Sequence, residues 1–484
     1  MLAKQPDSDL KTDLFVGGAW RPAASGRRFA VINPATETVI AEVADASVDD
    51  ATEAVDAAEG AAGLWAATPP RKRAEILRRA FEIMTERADA LARMIVEENG
   101  KALADARSEV AYAAEFFRWY SEEAVRIFGD VGLAPAGQNS IVVTYQPVGI
   151  ALLVTPWNFP AAMATRKIAP ALAAGCCCIL KPAEDTPLTA LAMADILAEA
   201  GVPAGVVNVV TTSSASSVVG AMLQDPRLRK LSFTGSTAVG RTLLRQAADQ
   251  VINCSMELGG NAPFIVFEDA DIDAAVPDAM IAKMRNGGEA CTAANRFYVH
   301  RSVADAFTGK LAQRMAALKV GDGLEDGVEL GPLVNRKARD KLGALVRQAI
   351  DGGAQVVTGG NSIEDKGYFF EPTVLSDVPD DARLLHEEIF GPVAPVMIFD
   401  DEDEVVARAN DTEYGLVAYV HTRDIGRGLR VAQRIETGMV GLNRGLVSDP
   451  AAPFGGCKQS GIGREGGQEG IKAFLECRYV AVRF

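Results

Sequence analysis

Histidine is nearly absent from this chain: His300, His386 and His421 are the only three among 484 residues. They lie far apart, so the close His/Cys spacing of a zinc site does not occur and no metal is expected. Long apolar runs are missing too. The longest nearly apolar stretch, Ile168 to Leu180, contains Pro170 and Gly175 and is too short to span a bilayer. The segment Met1 to Asp13 is polar and lacks the apolar core of a secretion signal. Basic residues are outnumbered, 49 against 64 acidic, for a net charge of −15. This argues against a nucleic-acid or anionic-membrane partner, both of which call for a basic surface. Cysteine offers no disulfide framework. There are seven, and Cys176, Cys177 and Cys178 are consecutive. The expectation is a cytoplasmic, reducing environment.

What remains is a soluble, globular composition, 48% apolar and 23% charged. The length implies two or three domains. Residues 14–43 read as short strands and turns. From Pro70 the apolar residues Ile76, Leu77, Ala80, Phe81, Met84, Ala88, Leu91, Met94 and Ile95 recur at helical steps, and Asn99-Gly100 closes that helix. A second helix carries Val110 to Ile127 and stops at Gly129. After a strand at residues 141–145, short apolar strands alternate with helices: 150–154, 177–181, 206–210, 231–233 and 252–257. That alternation predicts a parallel sheet covered on both faces, with right-handed crossovers. A second α/β region has strands near 263–267, 296–300, 354–357, 394–398, 416–420 and 438–442. Residues 447–463 are a Gly/Pro/Ser-rich loop, and residues 474–484 end the chain as a strand.

In such a sheet ligands bind at the carboxyl ends of the strands, and the polar residues collect there. One strand runs into Thr155-Pro156-Trp157-Asn158-Phe159-Pro160, another into Lys181-Pro182-Ala183-Glu184. The next two run into Thr234-Gly235-Ser236-Thr237, with Gly240 beyond, and into Glu257-Leu258-Gly259-Gly260. The Gly235–Gly240 turn opens a helix and suits a phosphate, although alone it is a weak motif. Lys181 and Glu184 offer a donor and an acceptor for ribose hydroxyls, and an acidic group there favours NAD over NADP. Elsewhere, Cys291 sits among glycines and small residues, a setting compatible with a nucleophile or with an inert packing thiol.

Together these segments resemble the aldehyde dehydrogenase superfamily. The resemblance rests on Pro156–Pro160, Lys181–Glu184, Phe233–Ser236, Met256–Gly260, the Cys291 segment, Glu387–Pro392 and Pro453–Gly456, which come in the family's order over nearly the whole chain. It implies a Rossmann-like parallel-sheet cofactor domain, a second α/β catalytic domain and a small β ribbon for oligomerisation. The matching ranges are 1–129 and 147–256, then 257–442, then 130–146 and 467–484, with 443–466 as an active-site connection. A homodimer or homotetramer would protect the ribbon's edges. It implies Cys291 as the nucleophile, Asn158 and the Cys291 amide as oxyanion donors, and Glu257 as the base that activates water. Thr155, Pro156, Trp157, Lys181, Ala183, Glu184, Gly235, Ser236, Gly240, Leu258, Glu388 and Phe390 would hold NAD, with NADP also possible.

Within the superfamily the chain is most similar to succinate-semialdehyde dehydrogenases, through Ala161–Lys167, Gly259–Phe267 and Gly455–Gly461. That implies a small aldehyde with a distal carboxylate, held by Arg166, Arg285 and Ser448, since a guanidinium binds a carboxylate bidentately. Glutarate semialdehyde is an alternative substrate. A CoA-acylating relative would be expected to lack Glu257. The Cys291 segment departs from the usual pattern: Glu289 and Ala290 stand where Gln and Thr are usual. A carboxylate at 289 raises the thiol pKa if it points inward. Position 293 is Ala, so no redox disulfide with Cys291 is expected.

Overall fold

The computed structural model describes residues 10–363 and 366–483. Most of the polar N-terminal segment and the last residue of the chain lie outside these. An eight-stranded sheet runs in the order Gly461–Ile462, Asn253–Glu257, Leu228–Thr234, Ile150–Val154, Cys178–Lys181, Val207–Val209, Leu14–Val16, Ala19–Arg21. Its five inner strands are parallel, and both flanks attach antiparallel. Ile150–Val154 and Cys178–Lys181 are buried along their whole lengths, as strands covered on both faces must be. The three consecutive cysteines are packing residues, each at most 1% exposed.

The second sheet has seven strands, in the order Gln355–Thr358, Thr373–Ser376, Val393–Phe399, Ala294–His300, Ala262–Val266, Val417–His421, Met439–Leu442. Only the Gln355–Thr358 edge is antiparallel. A third sheet is an antiparallel ribbon of Leu475–Val482, Ser140–Pro147 and Asp130–Leu133. It leaves Val131 and Leu133 more than two-thirds exposed. Among the described residues no helix is long and apolar enough to cross a membrane.

Several elements differ from the sequence reading. The helix expected from Pro70 to Asn99 is two helices, Pro70–Glu86 and Ala88–Asn99. Arg87 leaves helical geometry (φ −98°, ψ 12°) without breaking the apolar period, so periodicity hides the joint. Gly100 takes the left-handed cap conformation (φ 94°) as expected. The next helix spans Leu103–Glu123 and ends before Gly129. The helix Val48–Ala67 was not anticipated. Its buried stripe is mostly alanine, and it opens with a capping box between Ser47 and Asp50. Thr373–Ser376 is a further strand, too short to show alternation. Residues 467–474 hold a short helical turn, Glu469–Lys472, and the terminal strand starts at Leu475.

Register positions the site. Val154 pairs with both Lys181 and Phe233, and Thr234 pairs with Glu257. Four strands therefore end at nearly one level, and their loops start from a shared rim.

Candidate active site

On that rim Thr155 and Lys181 are buried, Pro156, Trp157 and Ala183 are half-buried and Glu184 is exposed. Burial lowers the Lys181 pKa, against the opposing fields of Glu184 and Asp185. The Thr234 hydroxyl is buried without a hydrogen-bond partner among the described residues. Ser236 caps the helix Thr237–Ala248, its Oγ accepting from the Val239 amide at 3.4 Å. Gly240 lets the Leu258 side chain pack closely: a Cβ there would lie 2.4 Å from it and push it aside. Across the cleft, Phe390 meets Trp157 edge-on, with ring centroids 5.4 Å apart. Phe390 holds a left-handed backbone (φ 52°), a strained choice for a non-glycine. Glu388 Oε1 accepts from the Gly260 amide at 2.9 Å, and burial raises its pKa to about 7. A Lys beside acidic groups, an orphaned hydroxyl, a helix N-terminus whose first amides lie beyond the Ser236 cap and an aromatic wall fit a dinucleotide.

Cys291 follows the short turn Arg285–Gly288. Asn286 sits in left-handed space (φ 56°). Gly288 (φ 80°) could not carry a Cβ, which would lie 2.2 Å from the Gly391 carbonyl oxygen. Gly260 closes on the same stretch from the other sheet end; its Cβ would be 2.5 Å from the Cys291 carbonyl oxygen. Asn158 is 4% exposed, and its Nδ2 donates to the Glu289 carbonyl at 3.0 Å. The loops bearing Asn158 and Cys291 are thus bonded directly. Burial pushes the Cys291 thiol up to about 12; Arg166 and Arg285 pull it down, while Glu257 and Glu388 push it further up.

Glu257 is 3% exposed, and its Oε2 has no hydrogen-bond partner among the described residues. Burial raises its pKa well above the usual carboxylate value, with Glu465 adding to the rise and Arg166 opposing it. Glu465 was not anticipated from the sequence. It is buried against the Arg166 Nε at 2.6 Å and against the Lys167 ammonium. Burial works against its charge, but Lys167 and Arg166 outweigh that and hold it below the usual value. The adjacent cations Arg166 and Lys167 were the only signal: a buried pair of this kind demands a carboxylate.

The expected carboxylate binders occupy different settings. Arg166 is 1% exposed, stacked 4.2 Å over Phe454 and already paired with Glu465. Arg285 is half-buried and stacks 4.8 Å over Phe159. With Ala290, Thr292, Tyr419, Gly445 and Leu446 it lines a narrow cavity. Ser448 is half-buried two residues beyond Leu446. A further group emerges from the Leu103–Glu123 helix. The Tyr112 hydroxyl is buried without a well-formed hydrogen bond. Burial raises its pKa, and Arg166 and Arg285 are the charges that counter the rise. As for Glu289, it is 3% exposed, and Oε1 accepts from the Val334 amide at 3.2 Å.

The aldehyde dehydrogenase family pattern matches residues 20–480, and the chain belongs to the aldehyde dehydrogenase family. A succinate-semialdehyde dehydrogenase of Paenarthrobacter nicotinovorans is 56% identical over 444 residues, 92% of this chain and 99% of the relative. A glutarate-semialdehyde dehydrogenase of Pseudomonas putida is 49% identical, covering 98% of each chain. The crystal structure of an E. coli NADP-dependent enzyme superposes with a TM-score of 0.97 at 48% identity, covering 99% of this chain and 100% of that one. This chain is accordingly an aldehyde-oxidising enzyme dependent on a nicotinamide dinucleotide.

Proposed function

We propose that this enzyme oxidises a semialdehyde bearing a distal carboxylate, succinate semialdehyde to succinate, with NAD or NADP as the electron acceptor. The observation that carries the reading is the pair of cations at the nucleophile. Arg166 and Arg285 both act on Cys291 and on the buried Tyr112 hydroxyl, and Arg285 stacks on Phe159, the residue after Asn158. A short chain with an aldehyde at one end and a carboxylate at the other matches that arrangement.

Substrate would lie with its carboxylate toward Arg285 and Ser448, with Arg166 contributing charge from the deep side. The Cys291 thiol loses its proton to the Glu257 carboxylate, and the thiolate adds to the carbonyl carbon. The oxygen becomes an anion, met by the Asn158 amide and the Cys291 backbone N–H. The bound nicotinamide supplies the hydride acceptor. Loss of hydride leaves a thioester on Cys291. That thiol proton passes from Glu257 to solvent; Glu257 then takes a proton from water, hydroxide attacks the acyl carbon, and the C–S bond breaks to give the acid, the departing thiolate recovering a proton from Glu257. The net change is aldehyde, water and oxidised dinucleotide to carboxylic acid, reduced dinucleotide and a proton.

Thr155, Pro156, Trp157, Lys181, Ala183, Glu184, Gly235, Ser236, Gly240, Leu258, Glu388 and Phe390 would hold the dinucleotide. Residues 1–129 with 147–256 serve as the cofactor domain and 257–442 as the catalytic domain. The apolar ribbon of 130–146 and 467–484 would pair between subunits of a homodimer or homotetramer, which agrees with its exposed Val131 and Leu133. All seven cysteines are free thiols, in keeping with a cytoplasmic enzyme. Glutarate semialdehyde differs by one methylene, worth about 1–3 kcal/mol. A kcat/KM panel of succinate semialdehyde, glutarate semialdehyde and a neutral aldehyde, each with NAD and NADP, tests the reading. Preference for the neutral aldehyde, or full activity in Cys291→Ala, would overturn it.

A further inference from the structure

Lys101, Asp105 and Glu109 follow one another at four-residue steps at the start of the Leu103–Glu123 helix, and all three reach the catalytic loops. The Lys101 and Glu109 side chains are 1% and 0% exposed, with Lys101 Nζ 2.5 Å from Glu109 Oε2. The same ammonium donates to the Asn158 carbonyl oxygen at 2.7 Å and lies 4.3 Å over the Phe159 ring. The other oxygen of Glu109 accepts from the Ala161 and Ala162 amides at 2.8 and 3.3 Å. These are the first free amides of the helix Pro160–Ala174, since Pro160 has none. The pair therefore grips the chain on both sides of Phe159.

Asp105 acts on the partner loop. Its Oδ2 accepts from the Asn286 amide at 2.9 Å. The Asn286 side-chain amide then bridges the two loops, donating to the Asn158 and Glu289 carbonyl oxygens, each at 2.9 Å. The Asn158 carbonyl thus receives a lysine from one side and an asparagine from the other. A buried ion pair adds little to stability by itself, because desolvation offsets the attraction. What this one achieves is geometric.

We propose that Lys101, charge-balanced by Glu109, is a positioning residue: it fixes the Asn158 backbone so that the side-chain amide meets the developing oxyanion. This rests on the reading of Asn158 as an oxyanion donor. A misplacement of about 1 Å at such a donor costs on the order of a hundredfold in rate.

The test compares Lys101→Met/Glu109→Gln, which removes both charges and leaves neither unpaired, with Asn158→Ala and with all three changes together. Hydride transfer is timed with substrate deuterated at the aldehyde carbon, alongside thermal unfolding and the alkylation rate of Cys291 without cofactor. The pair variant should fold, lose roughly 30- to 100-fold in kcat with little change in KM, and show a larger deuterium effect. Cys291 alkylation should stay within about twofold, because Asp105 still holds that segment, and the triple variant should lose little beyond Asn158→Ala. If the pair variant fails to fold, Lys101→Arg, which keeps the charge opposite Glu109 but moves the donor off the Asn158 carbonyl, should show the same kcat loss in smaller measure. Parental kcat and isotope effect in the folded variant, a changed alkylation rate, or additive loss on top of Asn158→Ala would each overturn the proposal. An Asn158→Ala enzyme with an unchanged hydride step would instead remove the oxyanion reading, and the positioning role with it.

Discussion

Glu289 stands two residues before Cys291, yet its carboxyl belongs to another neighbourhood, where Oε1 accepts the Val334 amide at 3.2 Å. Burial raises its pKa well above the carboxylate range, with Lys101 and Asp185 as the nearby charges. A protonated carboxyl has nearly the shape and polarity of the glutamine that the family resemblance puts here. Glu289→Gln should therefore keep kcat within about twofold near neutral pH. A tenfold change corresponds to about one pKa unit on the thiol and would mean that a charge at 289 acts on Cys291 after all.

The thiol itself should be sluggish in the free enzyme. With Cys291 pushed up to about 12 by burial, only a minute fraction is thiolate at neutral pH. Alkylation by iodoacetamide should rise close to tenfold per pH unit between about pH 7 and 10. A plateau below pH 9 would show that the thiolate forms unaided, without Glu257.

The two arginines should separate by experiment. Arg166→Met leaves Glu465 with Lys167 alone, so about 3 kcal/mol of stability should be lost, seen as a lower Tm. Arg285 forms no salt bridge among the described residues and stacks on Phe159. Arg285→Met should change Tm little. It should reduce kcat/KM for the carboxylate substrate by roughly 10- to 100-fold, the value of a charge-assisted hydrogen bond, and affect a neutral aldehyde far less, only through the charge it presents to Cys291. Equal losses on both substrates would refute a carboxylate role for Arg285.

Much of this was legible in the sequence. Apolar strands with crossover helices have a strong period, so Ile150–Val154, Cys178–Lys181 and Asn253–Glu257 stand where expected, with the functional loops after them. Glu465 and Lys101 were not legible. Each is charged, sits far from Cys291 in sequence and is explained only by a partner that folding brings in: Arg166 from 299 residues away for Glu465, the Asn158 carbonyl for Lys101. A linear pattern shows that a buried charge needs a counterpart, but not which one. Arg166 illustrates this from the other side, since its strongest contact is a carboxylate of the protein itself.

Glu388 gives a pH signature. Its pKa of about 7 is raised by burial, so the group keeps its proton in the folded chain where an unfolded glutamate has lost it. The stability from that proton is complete below about pH 4, the unfolded value, and disappears as pH rises through 7. Without cofactor, wild-type Tm should fall relative to Glu388→Gln between about pH 4.5 and 7 and level off above that. If Glu388 accepts ribose hydroxyls as proposed, dinucleotide affinity should rise from about pH 6 to 8, as its carboxylate forms in the folded chain. Titration of binding by fluorescence in both proteins checks this; a pH-independent affinity in the wild type would contradict it.

The shared level at which Val154, Lys181, Thr234 and Glu257 end their strands separates chemistry from choice. Asn158 and Glu257 are set by ladder pairing, where a single-residue slip would turn every side chain over at once. The Gly445–Ser448 stretch hangs beyond the Met439–Leu442 edge strand of the other sheet, answerable to no such ladder. If Ser448 holds the carboxylate as proposed, length changes there should retune which carboxylate chain fits while Asn158 and Glu257 stay in place, so divergence in substrate should be far easier to reach than divergence in reaction.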